Sequence, residues 1–200
     1  MSSESHQHES HKLDPATEYQ SSKLGMWLFL GTEVLLFGGL FAAYALFRAK
    51  FPALFHESSE ELNVTLGALN TVVLIFSSLT MALAVAAAKQ GDKKKVLIFL
   101  GITIFCAFVF GVNKYFEYGA KFSHHIYPST NLFFALYFMM TGLHMIHVFV
   151  GILLLGVIFV LTQRNAFSAE YNTPVELVGL YWHLVDLIWI YLFPLLYLIG

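Results

Sequence analysis

The chain has 200 residues, of which 58% are hydrophobic and only 12% charged. A typical soluble domain is about a quarter charged, so the composition excludes one and fits an integral membrane protein with a single bundle-sized domain. The net charge of −2, without a concentrated basic face, excludes a nucleic-acid partner, and the single cysteine, Cys106, excludes an internal disulfide or a paired-thiolate metal site.

Residues 1–23 are polar and are expected to form a solvated, mobile tail. The spacing of His6, His8 and His11 is a compositional signal for metal and nothing stronger. No apolar core precedes Leu24, so the first span is expected to act as its own insertion signal, with the N-terminus inside. Residues 24–200 then form the membrane domain.

Five apolar runs follow, at about 24–47, 66–88, 96–118, 131–162 and 175–199. Each is long enough to cross a bilayer as a helix, and none alternates with period 2 as a barrel strand would. The fold class is therefore all-α, an integral membrane bundle of five transmembrane helices. The basic residues orient it. Lys12, Lys23, Lys89, Lys93, Lys94, Lys95 and Arg164 fall on one side; Arg48, Lys50 and Lys121 fall on the other. Seven against three predicts N-terminus inside, C-terminus outside. Gly38/Ala42 and Gly39/Ala43 on the first span, and Gly142, Gly151 and Gly156 on the fourth, are small-residue positions where helix backbones approach closely.

The apolar runs contain costly polar residues. Glu33 is the only charged residue between Leu24 and Phe47. A carboxyl there is kept neutral, finds a polar partner, or meets a polar lipid group. His144 and His147 share one face of the fourth span, and Glu176, His183 and Asp186 share one face of the fifth. At 1.5 Å per residue, Glu33 lies roughly 14 Å, His183 roughly 12 Å and Asp186 roughly 17 Å along their spans, so one buried polar layer across three helices is expected. Such a layer has several readings. It is a satisfied polar network that fixes packing, or Glu33 or Asp186 contacts lipid or relays protons. Alternatively, His144 and His183 hold a b-type haem, or an ion-coupled transporter is built around Glu33 and Asp186. A di-metal carboxylate site lacks the Glu-x-x-His pairs it needs. Lys114 and Glu117, at i and i+3, are expected to form an ion pair at the outer headgroup level.

Four stretches together resemble subunit III of the haem–copper oxidases, the cytochrome c oxidase and quinol oxidase family. They are Lys23-Leu-Gly-Met-Trp-Leu-Phe-Leu-Gly-Thr-Glu33; Leu69-Asn70-Thr71 with a later Gly91-Asp92-Lys93; Thr141-Gly-Leu-His144-Met-Ile-His147-Val; and Tyr181-Trp182-His183-Leu-Val-Asp186-Leu-Ile-Trp189, with Glu176 seven residues before the histidine. The likeness is to the short five-span form, which lacks the first two helices of longer members; Lys114 stands where a neutral polar residue is expected.

The resemblance implies a redox-silent subunit in a bacterial plasma membrane or an organellar inner membrane. It would carry no cofactor of its own, the haem and copper lying in partner catalytic subunits. It would pack on catalytic subunit I and other oxidase subunits, bind structural phospholipid, and support proton uptake and catalytic lifetime. On that reading Glu33 has the lipid-facing or proton-related role and Arg164 meets a lipid phosphate. His144, His147, Glu176, His183 and Asp186 hold the bundle.

Overall fold

Proline, asparagine and aspartate mark where the helices of this chain begin. The computed structural model describes residues 14–169 and 171–199, apart from the side chains of Pro15, Ala16 and Glu18; His6, His8 and His11 lie outside the described residues. Helix α1 runs Pro15–Lys50 and has a proline in its first turn, where the missing N–H costs nothing. It starts well before Leu24, so the polar stretch 15–23 continues the first helix and is not tail. The cause is tertiary: Tyr19 and Lys23 find partners on the last span.

Phe51 breaks the helix before Pro52, and a short helix α2, Pro52–Glu60, follows. Nothing in the sequence pattern separates this stretch from a loop, because nine residues give too short a period. It is held by Phe55, fully buried against Tyr44 and Phe133 at ring separations of 5.2 and 5.5 Å.

Helix α3, Val64–Lys89, is capped by the Asn63 side chain. Helix α4, Lys93–Ser123, is capped by Asp92 after a turn in which Gly91 takes a positive φ of 71°. Burial does not oppose the Asp92 charge strongly; backbone hydrogen bonding from Lys95 holds its carboxyl below the ordinary value. Helix α5, Leu132–Gln163, is capped by Asn131, and α6 spans Thr173–Phe193. Pro194 then ends the regular ladder, and residues Pro194–Leu198 form one π-helical turn.

Among the described residues, five helices are long and apolar enough to cross a membrane: Tyr19–Lys50, Val64–Lys89, Lys93–Ser123, Leu132–Gln163 and Thr173–Leu198. Helices α3, α4, α5 and α6 pack as a closed ring, each against two neighbours, with α3 and α4 the most extensive pair. Leu74, Met81, Leu100, Met140, Trp182 and Trp189 fill its centre with no exposed surface. Helix α1 lies outside the ring, touching α5, α6 and the short α2.

Glycine use follows this arrangement. A Cβ on Gly151 would sit 2.7 Å from the Trp182 ring, and one on Gly179 would sit 2.9 Å from Val85. These positions let α6 lie close to α5 and α3. The expected close approach at Gly38, Gly39, Gly142 and Gly156 does not occur within the chain, since a Cβ there meets nothing within 4 Å.

Candidate functional site

Glu33 on α1 and His147 on α5 pair titratable groups from two spans, near the middle of α1. His147 Nε2 lies 2.9 Å from Glu33 Oε2, and the two side chains are only 13% and 15% exposed. His147 Nδ1 lies 2.8 Å from the Leu143 carbonyl. A carbonyl only accepts, so Nδ1 carries a hydrogen and Nε2 is the nitrogen that shares a hydrogen bond with the carboxyl. Two states satisfy this geometry: carboxylic acid with neutral imidazole, or carboxylate with imidazolium. They differ by one proton shifted along one hydrogen bond. Phe37 covers the imidazole edge at 5.3 Å, and the Tyr181 hydroxyl donates to the His147 carbonyl at 3.0 Å.

Between α1 and α6 runs an open groove of about 790 Å³, lined by apolar side chains from Trp27 to Leu35 and from Leu180 to Leu187. Its polar linings are Thr32 and His183. Glu33 does not line this groove and pairs instead with His147 on α5.

The expected single polar layer divides into separate contacts. His183 Nδ1 lies 2.7 Å from the Ser78 hydroxyl on α3. Asp186 is 2% exposed, with neither oxygen in good hydrogen-bond geometry among the described residues, although Ser78 lies close enough to interact. His144 is fully buried and neither of its nitrogens has a hydrogen-bond partner among the described residues; its ring packs against Phe110 and Trp189 at 5.7 and 5.4 Å. His144 and His183 therefore face different surroundings.

Glu176 belongs to no buried layer. It lies at the end of the bundle where α3 meets α4, 2.9 Å from Lys23 and 3.8 Å from Lys89, and accepts from the Tyr19 hydroxyl at 3.2 Å. Arg164, in the α5–α6 loop at the same end, is exposed.

Lys114 and Glu117 do pair, at 3.0 Å, but inside the protein and not at a headgroup surface. Lys114 is 1% exposed and Glu117 6%. Lys114 donates to the Tyr197 hydroxyl at 2.8 Å, and its ammonium lies 4.7 Å from the centre of the Trp189 ring. Tyr137 donates to Glu117 Oε1 at 2.7 Å, and Tyr197 donates to the same oxygen. The charges are compensated because three helices and the π turn converge on them.

No group of three or more His, Cys, Asp or Glu side chains among the described residues has the geometry to hold a metal ion.

The family model for cytochrome c oxidase subunit III matches residues 1–200. The chain belongs to that family. It is 37% identical to cytochrome c oxidase subunit 3 of Synechocystis over 176 residues, covering 88% of this chain and 74% of the relative. It is also 37% identical to cytochrome c oxidase subunit 3 of Thermostichus vulcanus over 189 residues, covering 94% and 92%. To the probable quinol oxidase subunit 3 of Staphylococcus aureus strain USA300 it is 29% identical over 195 residues, 96% of each chain. As a subunit III of the haem–copper oxidases with five membrane spans, it is a multi-pass protein of a bacterial or organellar inner membrane.

Several contacts between polar residues that organise this subunit III escaped the sequence reading. Trp182 donates to Ser77 at 2.8 Å, Thr80 bonds Thr103 at 2.8 Å, and Asn113 donates to Asn70 at 2.8 Å. A signal existed: each small polar residue interrupts an apolar run, and such residues turn toward other helices.

Proposed function

We infer that this chain is a redox-silent accessory subunit of a proton-pumping terminal oxidase, packing on the catalytic subunit and holding phospholipid in the α1–α6 groove. The observation that carries the reading is the groove beside the Glu33–His147 pair in a chain of the subunit III family. An apolar trough of that length suits acyl chains. The pair offers a site where one proton is held within a membrane span, consistent with a supporting role in proton uptake. Haem and copper belong, on this reading, to partner subunits. The excess of lysine at the α3–α4 end favours an inner position for that end, where exposed Arg164 meets lipid phosphate.

The test is oxygen consumption against time, at two pH values, by the complex with and without the chain. Removal is expected to leave haem and copper spectra unchanged. It should slow turnover at the higher pH, where protons are scarce, and shorten the active lifetime. Loss of a haem signal on removal, or identical rates and lifetimes at both pH values, refutes the proposal.

A further inference from the structure

A second pocket lies at the opposite end of α1, where the helix turns into α2. Its volume is about 410 Å³, and its lining includes Tyr44, Arg48, His56, Ala45, Ala49 and Leu195. The space exists because Ala45 and Ala49, one turn apart, present only methyl groups beside Arg48, while Pro52 forces the chain round the corner.

The polar lining is one-sided. Arg48 makes no ion pair or hydrogen bond with any described residue. His56 has only a loose, exposed contact with Glu60, at 3.8 Å. No carboxylate lines the pocket, although Glu57, Glu60 and Glu61 lie nearby in sequence. Two other pockets at helix ends differ in this respect, since Glu176 lines one and Glu61 and Glu117 line another.

Tyr44 supplies an independent sign. The residue has no exposed surface, and its hydroxyl is buried without a hydrogen-bond partner. Its ring is wedged against Phe55 and Phe133, so the hydroxyl cannot swing to solvent. Arg48, one turn on, lies close enough to act on it electrostatically. A buried hydroxyl left unbonded is costly and is rare unless something absent from the structure bonds it.

Depth identifies the occupant. Arg48 is the first cation after the apolar run of α1, roughly 22 Å along the axis from Glu33. That is the level where hydrocarbon gives way to headgroups, and Leu46 and Phe51 expose apolar surface beside it. We propose that Arg48, Tyr44 and His56 bind the phosphate of a glycerophospholipid in the leaflet opposite the α1–α6 groove. Arg48 takes the phosphate by charge-assisted hydrogen bonds, Tyr44 donates its unused hydroxyl, and His56 closes the outer side. The site is separate from the groove, so either can fail without the other.

The test is native mass spectrometry of the full chain, with the subunits that accompany it in mild detergent, delipidated and titrated with phosphatidylglycerol, dioleoylglycerol or inorganic phosphate. More phosphatidylglycerol should be retained than dioleoylglycerol, which lacks phosphate and is left with the acyl-chain groove alone. Arg48→Gln should weaken retention about tenfold, and the nearly isosteric Tyr44→Phe about threefold. Equal retention by parent, Arg48→Gln and Tyr44→Phe overturns the proposal, as does equal binding of dioleoylglycerol. Displacement of the lipid by equimolar inorganic phosphate overturns the lipid assignment. Loss of an accompanying subunit in Arg48→Gln, with lipid retention intact, assigns the pocket to a protein partner instead.

Discussion

Lys114 and Glu117 offer a sharp test of how charges survive inside this bundle. Removing one member of a buried pair costs about 3–5 kcal/mol, because the survivor remains as an uncompensated charge. Here neither survivor is bare. After Lys114→Met, Glu117 keeps the hydroxyl of Tyr137 at 2.7 Å and that of Tyr197. After Glu117→Leu, Lys114 keeps the Tyr197 oxygen at 2.8 Å and the face of Trp189 at 4.7 Å. Each single change is therefore expected near the lower end, about 3 kcal/mol. The double variant removes both charges and leaves hydroxyls that can bond each other. It should be more stable than the sum of the singles by about 2 kcal/mol. The measurement is a double-mutant cycle from reversible unfolding in mild detergent with increasing dodecyl sulfate. Fluorescence of Trp182 and Trp189, both in the core, reports the transition. Single costs below about 1 kcal/mol, or additivity within about 0.5 kcal/mol, would mean that the pair is not a coupled buried unit.

Three further outcomes are expected. Glu33→Leu should cost about 1–3 kcal/mol by orphaning His147 Nε2, whereas Glu33→Gln, which still reaches that nitrogen, should melt close to the parent; equal melting of the two variants would discount the contact. Gly151→Ala should destabilise by about 1–3 kcal/mol through the Trp182 ring 2.7 Å away, while Gly38→Ala, with open space around it, should be neutral or stabilising; the reverse order would contradict the close α5–α6 packing. Asp92→Ala should lower stability at neutral pH by removing the cap of α4. Because the folded carboxyl titrates below its ordinary value of 3.8, its contribution is present above that value and lost as pH falls through the folded one. Melting curves of parent and variant should therefore converge in acid, and a gap that persists there would assign the effect to something other than the carboxylate.

The five spans were legible because hydrophobic length is a local property: the run at 24–47 reads as a helix from its own residues. Glu33, His147 and Lys114 were also conspicuous, being polar groups in apolar surroundings. Their surroundings were not legible. Glu33 meets a histidine 114 positions away, and the burial of Lys114 depends on Tyr137 and Tyr197, 23 and 83 positions on. Depth along a helix placed Glu33, His147, His183 and Asp186 near one another in height. Rotation about each axis, which the ring of four helices decides, sent His183 to Ser78 and Glu33 to His147. Helix α2 and the start of α1 at Pro15 were hidden for the same reason, since both rest on distant partners: Phe133 for Phe55, and Glu176 for Tyr19 and Lys23.

The way α1 is fastened accounts for the groove beside it. Among lipid tails, apolar side chains gain little from meeting one another, so a peripheral helix is held by close packing and by polar contacts. Helix α1 has such contacts at two heights, Lys23 and Tyr19 with Glu176 and Glu33 with His147, and an aromatic one at a third, Tyr44 with Phe55 and Phe133. Successive fastenings are roughly 15 Å apart along the axis. The groove lies between the first two, lined on the α1 side by residues 27–35. There α1 turns Leu35 and Leu28, 77% and 65% exposed, away from the ring, and Gly31 adds no side chain to close the gap. A helix pinned at intervals and left apolar between the pins keeps its place without filling the space beside it. A helix zipped continuously to α6 would have no such trough, so the sparse packing of α1 is the structural condition for the proposed lipid site.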